Sequence, residues 1–216
     1  MQLYHLPMAP HPRKVNIFIA EKGIALDKIE VDFSSQQNLQ DPFLNTINER
    51  GVVPVLVLDD GTRLDESLAI CRYLECLYPE PSLFGADPLS IGLIAMWERR
   101  MEFDGFLAAM EAFRNTSPRF VQRGVPGTPV KFEQIPALAA RGRRRLGIFF
   151  QRLEQRLQQV PYVAGQAFSM ADITGVVAVD FAKRAEQEIP ESCPKVLAWY
   201  QKLYERESVA NSLATP

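Results

Sequence analysis

The sequence predicts a small mixed α/β unit followed by an all-helical one. Three observations carry that expectation. Strand-like and helix-like apolar patterns alternate up to residue 80, and helical patterns dominate after it. The stretch Tyr78-Pro79-Glu80-Pro81-Ser82-Leu83-Phe84-Gly85-Ala86-Asp87-Pro88 is punctuated by prolines and a glycine and reads as a linker. Charge changes there too: residues 1–80 hold seven basic and twelve acidic side chains, residues 81–216 seventeen and fourteen. The expected domains are residues 1–80 and 88–216.

In the first domain, residues 2–6 form a short strand. Val15, Phe18 and Ile19 share a helical face, so residues 12–22 read as helix, stopped by Gly23. Ile29, Val31 and Phe33 alternate, which predicts a strand over 28–33. Residues 55–58 and 62–64 flank Asp59-Asp60-Gly61, a hairpin signal. Ile70, Tyr73, Leu74 and Leu77 then mark a helix over 66–78. In the second domain, one long helix is expected over 88–114 and another over 137–159, the latter with Phe149, Leu153 and Leu157 spaced by four. Between them, residues 115–136 carry four prolines and no periodicity, a length that is often functional in a compact domain. Ser169-Met170-Ala171-Asp172 resembles a capping box, with Asp in place of the usual Glu. The helix it opens buries Ile173, Val176, Val177 and Phe181, and a last helix covers 194–206.

Composition excludes several classes of protein. The 216 residues are 47% hydrophobic and 23% charged, ordinary globular values. A net charge of −2 is too balanced for a dedicated nucleic-acid binder. The four arginines within 141–145 read as a solvated helix face. No apolar run reaches the ~18 residues of a membrane span. The opening MQLYHLPMAP lacks the pattern of a secretion signal, so a cytoplasmic location is expected. Cys71, Cys76 and Cys193 have no redox-pair or zinc spacing, and two histidines are few for a metal site, so no metal is expected.

Two places suit a ligand. Pro54 opens an apolar run, and proline belongs at a strand start or edge. The backbone of Val53 is then open to an extended peptide pairing as an added strand. Taken alone, Pro54 also fits an edge proline with no ligand. Asp65-Glu66-Ser67 sits where a strand enters a helix. Asp65 is placed to cap that helix, whose N–H groups and Ser67 hydroxyl suit a carboxylate, while Glu66 suits an ammonium. Alone, these residues also describe an ordinary capped helix.

Three segments together resemble cytosolic glutathione transferases. They are Leu6-Pro7-Met8-Ala9-Pro10-His11-Pro12-Arg13-Lys14-Val15; Gly51-Val52-Val53-Pro54-Val55-Leu56 followed by Leu64-Asp65-Glu66-Ser67-Leu68-Ala69-Ile70; and Pro161-Tyr162-Val163-Ala164-Gly165 with the Ser169–Asp172 box. They stand in the family's order and at its spacing. The resemblance implies a thioredoxin-like N-terminal domain and an all-helical C-terminal domain with an electrophile pocket, paired in a cytoplasmic homodimer. It implies glutathione as co-substrate, no metal, and conjugation of its thiolate to small hydrophobic electrophiles, a detoxification chemistry. Neither nucleic acid nor membrane is an expected partner.

Residue by residue, the resemblance implies a cis Val53–Pro54 bond, with Val53 pairing the cysteinyl backbone and Glu66 and Ser67 holding the γ-glutamyl end. Gln40 matches a contact to the glycine carboxylate, with Arg50 a second candidate. The family's usual catalytic Ser or Cys falls on Ala9, which has no donor, as in a bacterial and fungal subgroup lacking that residue. His11 is then the nearest donor, matching an Asn of some bacterial members; alone it is equally a capping or exposed histidine. Fungal members of the subgroup use a water held by second-domain side chains. That implies the role for Arg114, Asn115, Thr116 and Ser117, and Arg114 would also stabilise negative charge directly. Phe103, Phe106, Met110, Phe113 and Phe120, joined by Phe181, are the apolar candidates for the second substrate or for core, with residues 115–136 as a wall or lid. Two rival readings remain: glutathione-dependent disulfide reduction, and a non-catalytic binding protein of the same fold.

Overall fold

A computed structural model of the chain describes residues 1–213. Contacts divide it into two compact units. Unit 1 holds residues 1–81, 125–131 and the C-terminal segment from Ser208; unit 2 holds residues 82–124 and 132–207.

Unit 1 is built on four strands: β1 (Gln2–His5), β2 (Asp27–Glu30), β3 (Val55–Val57) and β4 (Arg63–Asp65). The sheet order is β2-β1-β3-β4. β1 runs parallel to β2 and antiparallel to β3, and β3 and β4 form the expected hairpin. The parallel pair needs a crossover, which α1 (Pro10–Glu21) supplies. A short α2 (Phe43–Thr46) precedes β3, and α3 (Ser67–Leu77) follows β4 and packs on α1. Leu3 and Leu56, opposite in register, are fully buried together with Val15, Phe18, Ile70 and Leu74.

Two local expectations change in this unit. The helix expected from residue 12 starts at Pro10, because a proline at the first helical position has no N–H to waste. The strand expected over 28–33 ends at Glu30. Asp32 Oδ1 accepts the Ser34 N–H at 2.7 Å and the Ser34 hydroxyl at 2.6 Å, a turn that bends the chain off the sheet. Those bonds hold the Asp32 carboxyl down at about 2. Val31 and Phe33 keep their apolar role by packing with Phe43 and Val53.

Unit 2 is helical: α4 (Pro88–Arg100), α5 (Leu107–Arg114), α6 (Pro136–Leu157), α7 (Met170–Arg184) and α8 (Pro194–Tyr204). The single helix expected over 88–114 is interrupted by a π-helical turn, Met101–Phe106. Gly105 sits in that turn, and a Cβ there would stand 2.7 Å from the Phe149 ring. α7 is buried nearly all round, as befits a central helix. Its Ser169–Asp172 capping box is present, as the spacing predicts. α8 has no side-chain cap of its own residue; Glu154 of α6 accepts the Lys195 and Val196 N–H groups at 2.8 and 3.0 Å instead.

α5 and α6 approach closely at Gly142, where an added Cβ would lie 2.6 Å from the Ala108 carbonyl and 2.8 Å from the Ala112 nitrogen. Backbone cannot step aside as a flexible side chain can. Gly142→Ala is therefore expected to destabilise by roughly 1–3 kcal/mol despite alanine's better helix propensity. Thermal unfolding checks the sign: an unchanged or raised Tm contradicts the close packing.

Candidate glutathione site

A cleft in unit 1 is lined by His11, Arg50, Val52, Val53, Pro54, Glu66, Ser67, Pro126 and Gly127. Four local devices bring these residues together. Gly51, at φ +61, turns the chain before Val52; its carbonyl accepts the Asn38 side chain at 2.7 Å. Asn48 accepts the Arg50 N–H at 3.0 Å and donates to the Val52 carbonyl at 3.2 Å, so the 48–52 loop is pinned from inside. The Val53–Pro54 bond is cis. Among the described residues, neither backbone polar group of Val53 has a hydrogen-bond partner, although the residue is buried.

The second device is the start of α3. Its cap residue is Glu66, at φ +65, and no side chain caps the helix. Asp65 was expected to cap it and does not: it ends β4 and accepts from Asn48 Nδ2 at 3.3 Å. The first-turn N–H groups of a helix have no intrahelical acceptor. Ser67, the first helical residue, is buried beside them. The cleft therefore offers an anion the uncapped end of an 11-residue helix and a hydroxyl.

The third is the start of α1. With prolines at 10 and 12, His11 carries the only backbone N–H among the first three helical positions. Its Nδ1 lies 3.3 Å from Ser67 Oγ. Burial, reinforced by the charge of Lys14, holds the His11 pKa well below 6.5. The imidazole is neutral at pH 7, so it offers a dipolar N–H rather than a cation.

The fourth is an ion pair. Arg50 Nη1 lies 2.8 Å from Glu66 Oε1 and 3.7 Å from Asp65 Oδ2. The hydrogen bond to Glu66 raises the Arg50 pKa, burial opposes that slightly, and the two carboxylates reinforce it.

Gln40 is exposed, donates to the Ser35 carbonyl at 2.8 Å and does not line the cleft. Arg114 and Asn115 belong to unit 2. Arg114 donates to the carbonyls of Arg123 at 2.5 Å and Gly124 at 3.3 Å, and stacks on Phe120. Burial, reinforced by Arg123, brings its pKa to about 10, still charged at neutral pH. Asn115 bonds the Glu111 carbonyl and the Ile135 N–H, at 2.9 and 2.8 Å. Both side chains close the stem of the 115–136 loop. Thr116 bonds the Ala112 carbonyl at 2.8 Å.

Phe106, Phe113, Phe120 and Phe181 do form one aromatic set, with neighbouring centroids 5.2–5.5 Å apart. Phe103 stands outside it, exposed under Arg99. Pro126 and Gly127 are lining residues that no local sequence pattern marks; their prolines and glycine signal only a loop. Among the described residues, no group of His, Cys, Asp or Glu is placed to hold a metal. The three cysteines are free, and no described helix is long and apolar enough to cross a membrane.

A four-stranded mixed sheet with α3 packed on it and α1 packed on α3, a cis-proline edge and an uncapped helix start define a thioredoxin-like domain, followed here by a helical one. The chain belongs to the glutathione S-transferase family. The family's N-terminal domain profile matches residues 3–82, and its C-terminal domain profile residues 106–207. Glutathione S-transferase 2 of Saccharomyces cerevisiae is 33% identical over 215 residues, covering 99% of this chain and 89% of the relative. The crystal structure of Gtt2 from the same yeast superposes with a TM-score of 0.88 at 32% identity, covering 99% of this chain and 100% of that one. A Gtt2-class glutathione S-transferase of Vibrio parahaemolyticus gives 0.83 at 32% identity, covering 98% and 97%. The family uses glutathione.

Proposed function

We propose that the protein binds glutathione in the unit 1 cleft and transfers its thiolate to small hydrophobic electrophiles. The observation that carries this reading is the convergence, in one cleft, of an unpaired buried backbone at Val53 with an uncapped helix start at Ser67. Glutathione is an extended peptide with a carboxylate and an ammonium on one terminal carbon. The α3 N–H groups and Ser67 hydroxyl take the carboxylate, Glu66 takes the ammonium, and Val53 pairs with the cysteinyl backbone.

That placement brings the sulfur toward the start of α1. An unperturbed thiol has a pKa of ~8.5, so its thiolate is scarce at neutral pH. The positive end of α1 and the His11 N–H groups favour the thiolate. The thiol proton leaves to solvent, sulfur donates its electron pair to the electrophilic carbon, and the leaving group departs with its own pair. Holding the two reactants in line supplies much of the rate. The aromatic set of unit 2 is the apolar surface this reading assigns to the electrophile. A cytoplasmic homodimer with a detoxifying role completes the reading.

The test is steady-state turnover of an activated aryl halide with glutathione. Saturable, glutathione-dependent conjugation above the uncatalysed rate is expected, and His11→Ala is expected to lower it by about tenfold or more. Turnover of a small disulfide without the halide would move the reading to thiol–disulfide exchange. Neither turnover, with glutathione bound, would leave a binding protein.

A further inference from the structure

Glutathione would meet an ion pair already formed at its ammonium site. Arg50 holds Glu66 at 2.8 Å, and Asp65 stands 3.7 Å from the same nitrogen. Resting on the glutathione reading above, we propose that Arg50 is an internal stand-in for the γ-glutamyl ammonium, neutralising Glu66 before glutathione binds and passing to Asp65 when it arrives.

Charge count favours the exchange over expulsion of either cation. One guanidinium serves two adjacent carboxylates, and a bound ammonium would give each carboxylate one cation. The geometry supplies the destination. Asn48 Nδ2, 3.3 Å from Asp65 Oδ2, holds the receiving carboxylate, while Asn48 Oδ1 accepts the Arg50 backbone N–H at 3.0 Å. Only the end of the arginine side chain need move. On its other side lies Gly127, at φ +73, where a Cβ would stand 3.1 Å from Arg50 Nη2 and 3.3 Å from Nε. The Gly127 backbone thus lies against one edge of the guanidinium, and Asp65 Oδ2 is the second carboxylate within its reach. A side chain at 127 would need both the unfavourable backbone angle and the guanidinium's space. Arg50 is then a specificity-determining residue: it sets how much affinity the ligand's amino group is worth, because that group must first displace a competitor.

The pair is half-exposed, so the competition is modest, up to about fivefold in affinity. The experiment compares glutathione with its analogue lacking the γ-glutamyl amino group, glutaryl-cysteinyl-glycine, by calorimetry at low salt. The quantity read is the ratio of their dissociation constants. In Arg50→Gln the ratio is expected to favour the amino-bearing ligand about two- to fivefold more than in the native protein. In Asp65→Asn, which removes the destination, it is expected to fall below the native value. A ratio unchanged in Arg50→Gln, while glutathione still binds, overturns the proposal. So does an equal loss for both ligands, which would place Arg50 on a carboxylate of the peptide. Failure of the native protein to bind either ligand would instead overturn the glutathione reading, and the exchange with it.

Discussion

Asp172→Ala is expected to destabilise the protein by roughly 3–5 kcal/mol, a fall in Tm on the order of 10 °C. The carboxylate is fully buried and is the acceptor for four donors. Oδ1 takes the Val163 N–H at 2.8 Å and the Trp199 indole N–H at 3.0 Å; Oδ2 takes the Ser169 N–H and hydroxyl, both at 3.0 Å. One side chain thus caps α7, anchors the turn before it and fixes α8 through Trp199. Alanine leaves these donors buried without it, and each unsatisfied donor costs about 1–3 kcal/mol. The site also sets a pH dependence. Burial pushes the Asp172 carboxyl up to about 6 from 3.8, against the pull of its four donors. Between those values the folded state binds more protons than the unfolded chain. The contribution from this titration is full below the unfolded pKa and is lost as pH rises through about 6. Asp172→Asn abolishes the titration, so the stability gap between native and variant should widen as pH falls through that window. Denaturant unfolding at both ends of it checks this, and a gap that narrows toward acid contradicts the assignment.

Ser67→Ala is expected to weaken glutathione binding by about 10- to 100-fold, the worth of one hydrogen bond to a charged group. The hydroxyl is buried at the first position of α3, caps nothing and has one weak contact, 3.3 Å to His11 Nδ1, so its removal takes little from the fold. Tm should shift by no more than a few degrees. A glutathione analogue without the γ-glutamyl carboxylate should bind the native and variant proteins alike, because the lost hydroxyl then has no anion to meet. Equal weakening for both ligands would place Ser67 in cleft packing rather than on the carboxylate.

The order of elements was legible because it is locally encoded. Alternation at 55–58 and 62–64, the Asp-Gly turn between them and the four-residue spacing of α6 each depend on neighbours in sequence. The capping box at 169–172 was legible for the same reason. What escaped depends on competition or on distance. The apolar alternation through Phe33 was real, but the Asp32 side chain outcompeted the ladder for the backbone. Asp65 had the right chemistry for a cap, yet the chain enters α3 through Glu66, and Asn48 holds Asp65 instead. Pro126 and Gly127 line the cleft, and Gly127 lies against Arg50, a residue far earlier in the chain. No periodicity encodes such a contact.

The most direct test of the account is the ultraviolet difference absorbance of the thiolate as glutathione is titrated into the protein near neutral pH. A saturable thiolate signal is expected where free glutathione shows little, with a bound thiol pKa below the free value of ~8.5. Because His11 is neutral in this range, the signal should follow one thiol titration, with no second step from the imidazole. Saturable binding without thiolate absorbance would contradict the account, leaving a transferase fold that holds the peptide without activating its sulfur.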